Sequence, residues 1–207
     1  MKKVLIIIGI LIVLGLGWYL FSGRGKHLEV SASPSPQVTA SPKIVSWPVS
    51  DAPSRITKKP FGIYVSPGNS PISPEWFTGY HTGVDFETTS AEQNTDVPVY
   101  AICNGSIVLK ETASGYGGVL VQRCMLNDES VTVIYGHIRL TSIAKNVNDE
   151  LKSGEQFAVL GTGYSAETDG ERKHLHLGIH LGPEINIQGY VQNPAELSQW
   201  LNAANYL

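Results

Sequence analysis

The chain has 207 residues, 42% of them hydrophobic, and a formal net charge of −3, which indicates one ordinary hydrophobic core rather than two. The charge is unevenly distributed: residues 1–60 carry eight Lys and Arg against two Asp and Glu, whereas residues 61–207 carry seven against sixteen. Nucleic-acid affinity depends on cations that neutralise phosphates. The acidic main part of the chain therefore excludes nucleic acid as an expected partner.

An uninterrupted apolar run, residues 4–21, follows two lysines at the N-terminus. Its eighteen residues, if helical, span roughly 27 Å, about the thickness of the hydrocarbon core of a bilayer. Trp18 and Tyr19 stand at its far end, where aromatic rings favour the interface. We expect residues 1–21 to anchor the chain in the cytoplasmic membrane as a single pass, with the remainder outside. The alternative is a signal peptide that is cleaved near Ala32, which releases a secreted protein.

Residues 22–54 contain repeated Ser-Pro pairs and few large apolar side chains. Such a composition cannot collapse into a core, so it predicts an extended linker. The remaining residues, 55–207, are expected to form the functional domain.

The domain sequence is typical of β structure. Short runs rich in β-branched and aromatic residues are separated by clusters of Gly, Asn, Asp or Ser, and residues 114–118 predict a tight turn. Only residues 194–204 predict a helix, with Asn193 as N-cap and Pro194 at the first position. We therefore predict an all-β fold: a compact antiparallel sheet, barrel- or sandwich-like, with one short C-terminal helix. The predicted strand runs are residues 97–110, 118–124, 131–135, 157–160 and 174–181.

Three short segments supply the residue types that bind metal ions. Side chains two or four positions apart on a strand share a face. His81 and Asp85 can therefore share one face, and so can His174 and His176, while Leu175 points into the core. The segments are HTGVD at 81–85, YGH at 135–137 and HLH at 174–176.

A catalytic zinc ion takes three protein ligands, mainly His nitrogens and carboxylate oxygens, and keeps a position for water. His81, Asp85 and His176 supply such a set, so one zinc ion per chain is the expected cofactor. His137 and His174 remain beside it, where they can take a proton from the water or stabilise the tetrahedral oxyanion. Each motif is weak by itself, and their combination is much less common.

A longer series of motifs stands in the same chain. It comprises FG at 61–62, HTGVDF at 81–86, VPVYA at 97–101, NG at 104–105, GYGG at 115–118, YGH at 135–137, SG at 153–154, GTG at 161–163 and HLHLGI at 174–179. In order and separation, this series resembles that of the lysostaphin-type murein endopeptidases, a zinc-dependent family, over residues 61–194. One departure is Gly178, where the family often has an acidic or amide residue.

The resemblance implies that His81, Asp85 and His176 are zinc ligands and that His137 and His174 are the catalytic pair. It implies an enzyme that hydrolyses peptide bonds in peptidoglycan stems or cross-bridges, with the metal in a groove on one sheet. The alternative is a catalytically silent, membrane-tethered scaffold or activator of another wall hydrolase. Its zinc site would be closed by a fourth protein ligand, for which His174 is the candidate. Every position of the motif is filled, which favours the enzyme.

Four further features are open in the sequence. Cys103 and Cys124 flank the 114–118 turn, and outside the cell we expect them to form a disulfide; a second metal site or two free thiols are the alternatives. Tyr135 either contacts substrate or packs in the sheet. His180 either extends the site or is a solvated strand-end residue. Residues 75–77 are candidates for a groove wall.

Overall fold

The computed structural model describes residues 46–206. These residues form eleven strands, and all strand pairs are antiparallel, as predicted. The strands are β1 (Tyr64–Val65), β2 (Gly79–His81), β3 (Gly83–Glu87), β4 (Pro98–Tyr100), β5 (Gly105–Ala113), β6 (Gly117–Leu126), β7 (Glu129–Gly136), β8 (Glu150–Leu151), β9 (Gln156–Val159), β10 (His174–Leu181) and β11 (Tyr190–Val191).

The central sheet has six strands in the order β3-β10-β7-β6-β5-β8. A three-stranded sheet has the order β1-β2-β11, and β4 pairs with β9. β3 and β8 each have a single partner in the central sheet, so this sheet is open and not closed into a barrel. The predicted all-β class is confirmed, and the barrel part of the prediction is wrong because these two edges never meet.

The central sheet is covered on both faces, which explains why its inner strands read as continuous apolar runs rather than alternating ones. One face packs against β4 and β9 in the main core, to which β10 contributes Leu175 and Leu177. The opposite face carries a smaller apolar cluster that includes Tyr116, Val119 and Trp200. The histidines of β10 lie on this second face.

Six short 3-10 helices connect the strands, and residues 46–206 contain no α-helix. The prediction of one helix over residues 194–204 is confirmed at its capped start and is wrong in its length, since a 3-10 helix covers Pro194–Gln199 only. Asn193 does cap a helical start, but extended backbone at Trp200 ends it after two turns. Trp200 forms a β-bridge with His180, so pairing with the sheet replaces helical hydrogen bonds at this point. The 3-10 helices are Ala52–Arg55, Ser90–Glu92, Leu140–Ser142, Ala166–Thr168, Pro194–Gln199 and Ala203–Tyr206.

The end of the predicted linker, residues 46–54, packs on the β domain. Val49 and Ala52 are buried in the main core. The predicted anchor and the first part of the linker, residues 1–45, lie outside the described residues. No helix within residues 46–206 has the length and apolar character needed to span a bilayer.

The predicted disulfide is present and joins Cys103 to Cys124, with their Cα atoms 6.2 Å apart. Cys124 lies on β6 directly opposite Gly105 of β5, two residues after Cys103. The bridge therefore ties the β5–β6 hairpin at the end away from its turn. Both cysteines of the sequence are used, which excludes the alternatives of free thiols and a second metal site.

Candidate metal centre

Three buried side chains from three strands converge on one point: His81 of β2, Asp85 of β3 and His176 of β10. Nε2 of His81 lies 3.0 Å from Nδ1 of His176, and each of these nitrogens lies 3.3 Å from Oδ1 of Asp85. Within residues 46–206, this trio is the one metal-binding type of cluster whose ligand atoms all lie within 4.8 Å of one another.

The spacing of these donor atoms fits a zinc ion. Ligands placed tetrahedrally about 2.0–2.1 Å from zinc are about 3.3 Å from each other. The three observed separations are 3.0, 3.3 and 3.3 Å. Two imidazole nitrogens and one carboxylate oxygen are also a donor set that zinc accepts in catalytic sites.

The register of the central sheet accounts for the convergence. β10 pairs with β3 so that His176 lies opposite Asp85, and on its other side His176 lies opposite Gly136 of β7. A Cβ atom on Gly83 would lie 2.6 Å from the His176 ring, and one on Gly136 would lie 2.4 Å from the Tyr116 ring. Glycine at these two positions leaves the space that the imidazole and the phenol occupy.

Backbone carbonyls fix the orientation of two imidazoles. Nδ1 of His81 lies 3.3 Å from the Pro60 carbonyl, and Nδ1 of His174 lies 2.8 Å from the Arg172 carbonyl. Because a carbonyl only accepts hydrogen bonds, Nδ1 is the donor in both cases, which fixes the direction of each Nε2. For His174, Nε2 lies 3.2 Å from Oδ2 of Asp85.

Asp85 is held in its charged form although only 2% of it is exposed. Burial by itself raises the pKa of the carboxyl, but the His174 and His81 imidazoles outweigh burial and hold that pKa well below its usual range. Oδ2 of Asp85 also accepts a hydrogen bond of 2.7 Å from Nη2 of Arg172. A deprotonated carboxylate is the form that binds a cation.

His137 reaches the site through an uncommon backbone conformation. It follows β7 directly with φ of 61°, and its ring centroid lies 4.3 Å from that of His174. Nδ1 of His137 is buried without a hydrogen-bond partner. Burial, followed by the neighbouring His174, lowers the pKa of His137 well below its ordinary value. Burial also lowers the pKa of His176, to about 4, so both rings are neutral at pH 7.

A cavity of about 320 Å³ lies beside these side chains. Its wall contains Asp85, His137, His174 and His176. The structure therefore brings together all five residues that the sequence singled out, since His81 contacts Asp85 and His176 directly. Their roles as ligands or catalytic groups remain predictions.

Two residues of the cavity wall, Tyr116 and Arg172, lie in or next to motifs of the sequence but were not predicted to belong to the site. Tyr116 lies within the GYGG motif, and its hydroxyl lies 3.4 Å from Nε2 of His176. Arg172 stands two positions before His174, so the alternation argument that paired His174 with His176 also extends to Arg172.

Two other residues of the cavity wall, Lys59 and Tyr190, reach it only through the packing of distant segments. Lys59 is 1% exposed, forms an ion pair of 2.6 Å with Glu75 and donates a hydrogen bond of 2.9 Å to the Tyr190 hydroxyl. No spacing along the chain connects these residues. Of the predicted wall segment, Phe77 lines the cavity, whereas Glu75 is buried in the ion pair with Lys59 and is not a lining residue.

The weaker candidates resolve as packing residues. Tyr135 is fully buried in the main core, because the left-handed turn at His137 ends the strand alternation between them. His180 is 7% exposed and stacks edge-on against Trp200 at 4.9 Å, so it is neither solvated nor part of the cavity wall. A Cβ on Gly178 would lie 3.4 Å from the Trp200 ring. Trp200 thus covers the position where the resembling family often has a polar side chain.

Comparisons with known proteins find a matching family model and similar solved structures. The model of peptidase family M23 matches residues 79–194. CbpA from L. salivarius REN has a similar fold, with a TM-score of 0.51 at 19% identity over 79% of this chain and 94% of that chain. The catalytic domain of lysostaphin from Staphylococcus simulans has a TM-score of 0.49 at 21% identity, over 74% of this chain and 93% of that chain. A zinc-containing peptidase from Vibrio cholerae has a TM-score of 0.43 at 20% identity, over 67% of this chain and 37% of that chain. No curated protein sequence matches the chain.

Proposed function

Because the chain belongs to peptidase family M23, we propose that it is a zinc metalloendopeptidase that hydrolyses peptide bonds in peptidoglycan stems or cross-bridges. The observation that carries the proposal is the convergence of His81, Asp85 and His176 beside a cavity whose wall includes two further imidazoles. Zinc in such a site supplies a Lewis acid that acidifies water and polarises a carbonyl.

The protein residues have separable tasks in this proposal. His81, Asp85 and His176 hold the metal. His174 has its Nδ1 proton committed to a backbone carbonyl, so its Nε2 can accept a proton from the attacking water and return it to the leaving amine. His137 has an unpartnered Nδ1 in the same cavity wall, which is available to hydrogen-bond the developing oxyanion.

The proposal includes a location outside the cytoplasmic membrane. The motif series that resembles the murein endopeptidases supports a peptidoglycan substrate, and the Cys103–Cys124 disulfide is typical of an oxidising exterior. We propose residues 1–21 as the membrane anchor, residues 22–54 as the linker, of which 46–54 pack on the domain, and residues 55–207 as the peptidase domain. Cleavage near Ala32 stays the alternative to an anchor.

The scaffold alternative is not favoured. A structural zinc site needs a fourth protein ligand. Within residues 46–206 the metal cluster holds three residues, and His174 directs Nε2 to the Asp85 oxygen that faces away from the other ligands. An open fourth position is the arrangement of a catalytic site.

Digestion of purified peptidoglycans that differ in cross-bridge type, with mass analysis of the fragments, tests the proposal. We expect new amino termini within the stems or cross-bridges, loss of cleavage in a strong chelator and recovery with Zn²⁺. The pattern across wall types identifies the bond. Undiminished cleavage by metal-free protein would remove the mechanism, and zinc-loaded protein that cleaves none of the walls would remove the function.

A further inference from the structure

The two oxygens of Asp85 face different partners. Oδ1 lies 3.3 Å from the ligand nitrogens of both His81 and His176. Oδ2 accepts a 2.7 Å hydrogen bond from Arg172 and lies 3.2 Å from Nε2 of His174. The carboxylate is thus divided between a metal-facing oxygen and an oxygen held by the protein.

Arg172 is itself fixed by a second carboxylate. Nε of Arg172 lies 3.1 Å from both oxygens of Glu87, and Nη2 lies 2.5 Å from Oε1. Glu87 follows Asp85 by two positions on β3, so both carboxylates project from the same face of that strand. The guanidinium, 8% exposed, therefore bridges two acidic residues of one strand.

We propose that Arg172 is a positioning residue for the metal ligand Asp85, and that Glu87 holds Arg172 for this task. The inference rests on the proposed zinc peptidase function. A carboxylate in a buried site can rotate and offer either oxygen or both. Nε and Nη2 of Arg172 form a planar fork on Glu87, and Nη2, fixed in this way, also donates to Oδ2 of Asp85, which leaves Oδ1 for the metal. Partners that orient a ligand in this way commonly change metal affinity 10–100-fold when they are lost.

A purely structural role makes a different prediction. If Arg172 only neutralises two buried carboxylates, its loss lowers the stability of the fold and does not weaken the metal affinity of the folded protein. The affinity for zinc therefore separates the two roles. It also needs no catalytic assay.

The test is the zinc dissociation constant of the full-length chain, measured by competition with a chromogenic chelator. We expect Arg172→Met to weaken binding about 10–100-fold. Arg172→Lys keeps the charge without the fork and should fall between Arg172→Met and the parent. Glu87→Gln should weaken binding by a smaller factor, about 3–10-fold, because it loosens Arg172 without touching Asp85.

Glu92→Gln is the matched control. Glu92 binds both terminal nitrogens of Arg55 at 2.7 and 2.8 Å, so it forms the same kind of carboxylate–guanidinium pair without contact to Asp85. It should leave zinc affinity unchanged. Visible absorption of the cobalt-substituted protein gives a second readout, because it reports ligand geometry. It should change in Arg172→Met and not in the control.

The outcomes are distinct. A parent protein that binds no zinc overturns this inference together with the proposed function. A parent that binds zinc and an Arg172→Met variant with the same or a tighter affinity overturn this inference alone. If Arg172→Met does not fold, Glu87→Gln decides. Weaker zinc binding by Glu87→Gln supports the positioning role of Arg172, and a zinc affinity equal to that of the parent rejects it. Where both fold, the effect of Glu87→Gln should disappear in the Arg172→Met background.

Discussion

The two faces of β10 are buried to nearly the same extent, but one packs in the hydrophobic core and the other lines the cavity. Leu175 and Leu177 are fully buried in the main core, while His174 and His176, 2% and 4% exposed, line the cavity on the other face. An apolar face requires only matching volume, whereas every nitrogen and oxygen of a buried polar face needs a partner. Burial alone therefore does not distinguish structural from functional residues on this strand. The atoms that each buried side chain contacts distinguish them.

The largest expected effect comes from the polar face. His176→Ala removes one of three metal ligands, so it should lose stoichiometric zinc and reduce hydrolysis on the order of 10⁴-fold or more. Metal analysis of the purified variant and fragment release from peptidoglycan are the measurements. His180→Ala, a histidine of the same strand outside the cavity wall, is the control. Zinc retained by His176→Ala at parent level would contradict the assignment.

A smaller loss should separate the ligands from the proton carriers. His174→Ala and His137→Ala should keep near-stoichiometric zinc while the rate falls roughly 10²–10⁴-fold, the usual contribution of a positioned acid–base group. The same metal analysis and assay apply. If His174→Ala instead sheds zinc, His174 is a fourth ligand, and the scaffold alternative gains support.

The apolar face should respond in the opposite way. Leu177→Ala, next to His176 along the strand, should lower the free energy of unfolding by about 2–5 kcal/mol through the cavity that it creates. Its zinc stoichiometry at low temperature should stay near one. Chemical denaturation with parallel metal analysis checks both values. A Leu177→Ala protein that is stable but free of zinc would show that the two faces are not separable.

The disulfide offers a change outside β10 and outside the cavity wall. It closes a loop with a sequence separation of 21 residues, and its loss should cost about 3 kcal/mol of stability. Thermal unfolding with and without a reductant measures this, and zinc content and low-temperature activity should hardly change. Two alkylated cysteines in protein recovered from the cell exterior and denatured without reduction would show that the bridge does not form there.

The smallest effect concerns a polar pair outside the site. Glu92 pairs with Arg55, and this hydrogen bond lowers the pKa of Glu92 from 4.5 to about 2. A lowered carboxyl pKa stabilises the fold above pH 4.5, and the gain disappears as the pH falls through 2. Glu92→Gln should therefore cost about 1 kcal/mol at pH 7 and nothing near pH 2. Denaturation of both proteins across this range is the check, and a cost independent of pH would contradict it.

The sequence predicted the faces of β10 and the metal trio better than the surroundings of the trio. Alternation along a strand depends on local geometry alone, so the HLH motif suffices to place Leu175 opposite its two histidine neighbours. The pairing of Lys59 with Glu75 depends instead on how distant segments pack, and no local pattern encodes it. The helix predicted over residues 194–204 ends early for the same reason: a tertiary contact of Trp200 with β10 stops it after its capped start.

The left-handed backbone at His137 has an evolutionary consequence. A non-glycine residue with φ near 61° costs the fold about 1 kcal/mol, and glycine removes most of that cost. The most stable variant at this position is therefore expected to lack the proposed proton donor. Selection for thermal stability alone would enrich His137→Gly and yield a sturdier, zinc-loaded and catalytically impaired protein.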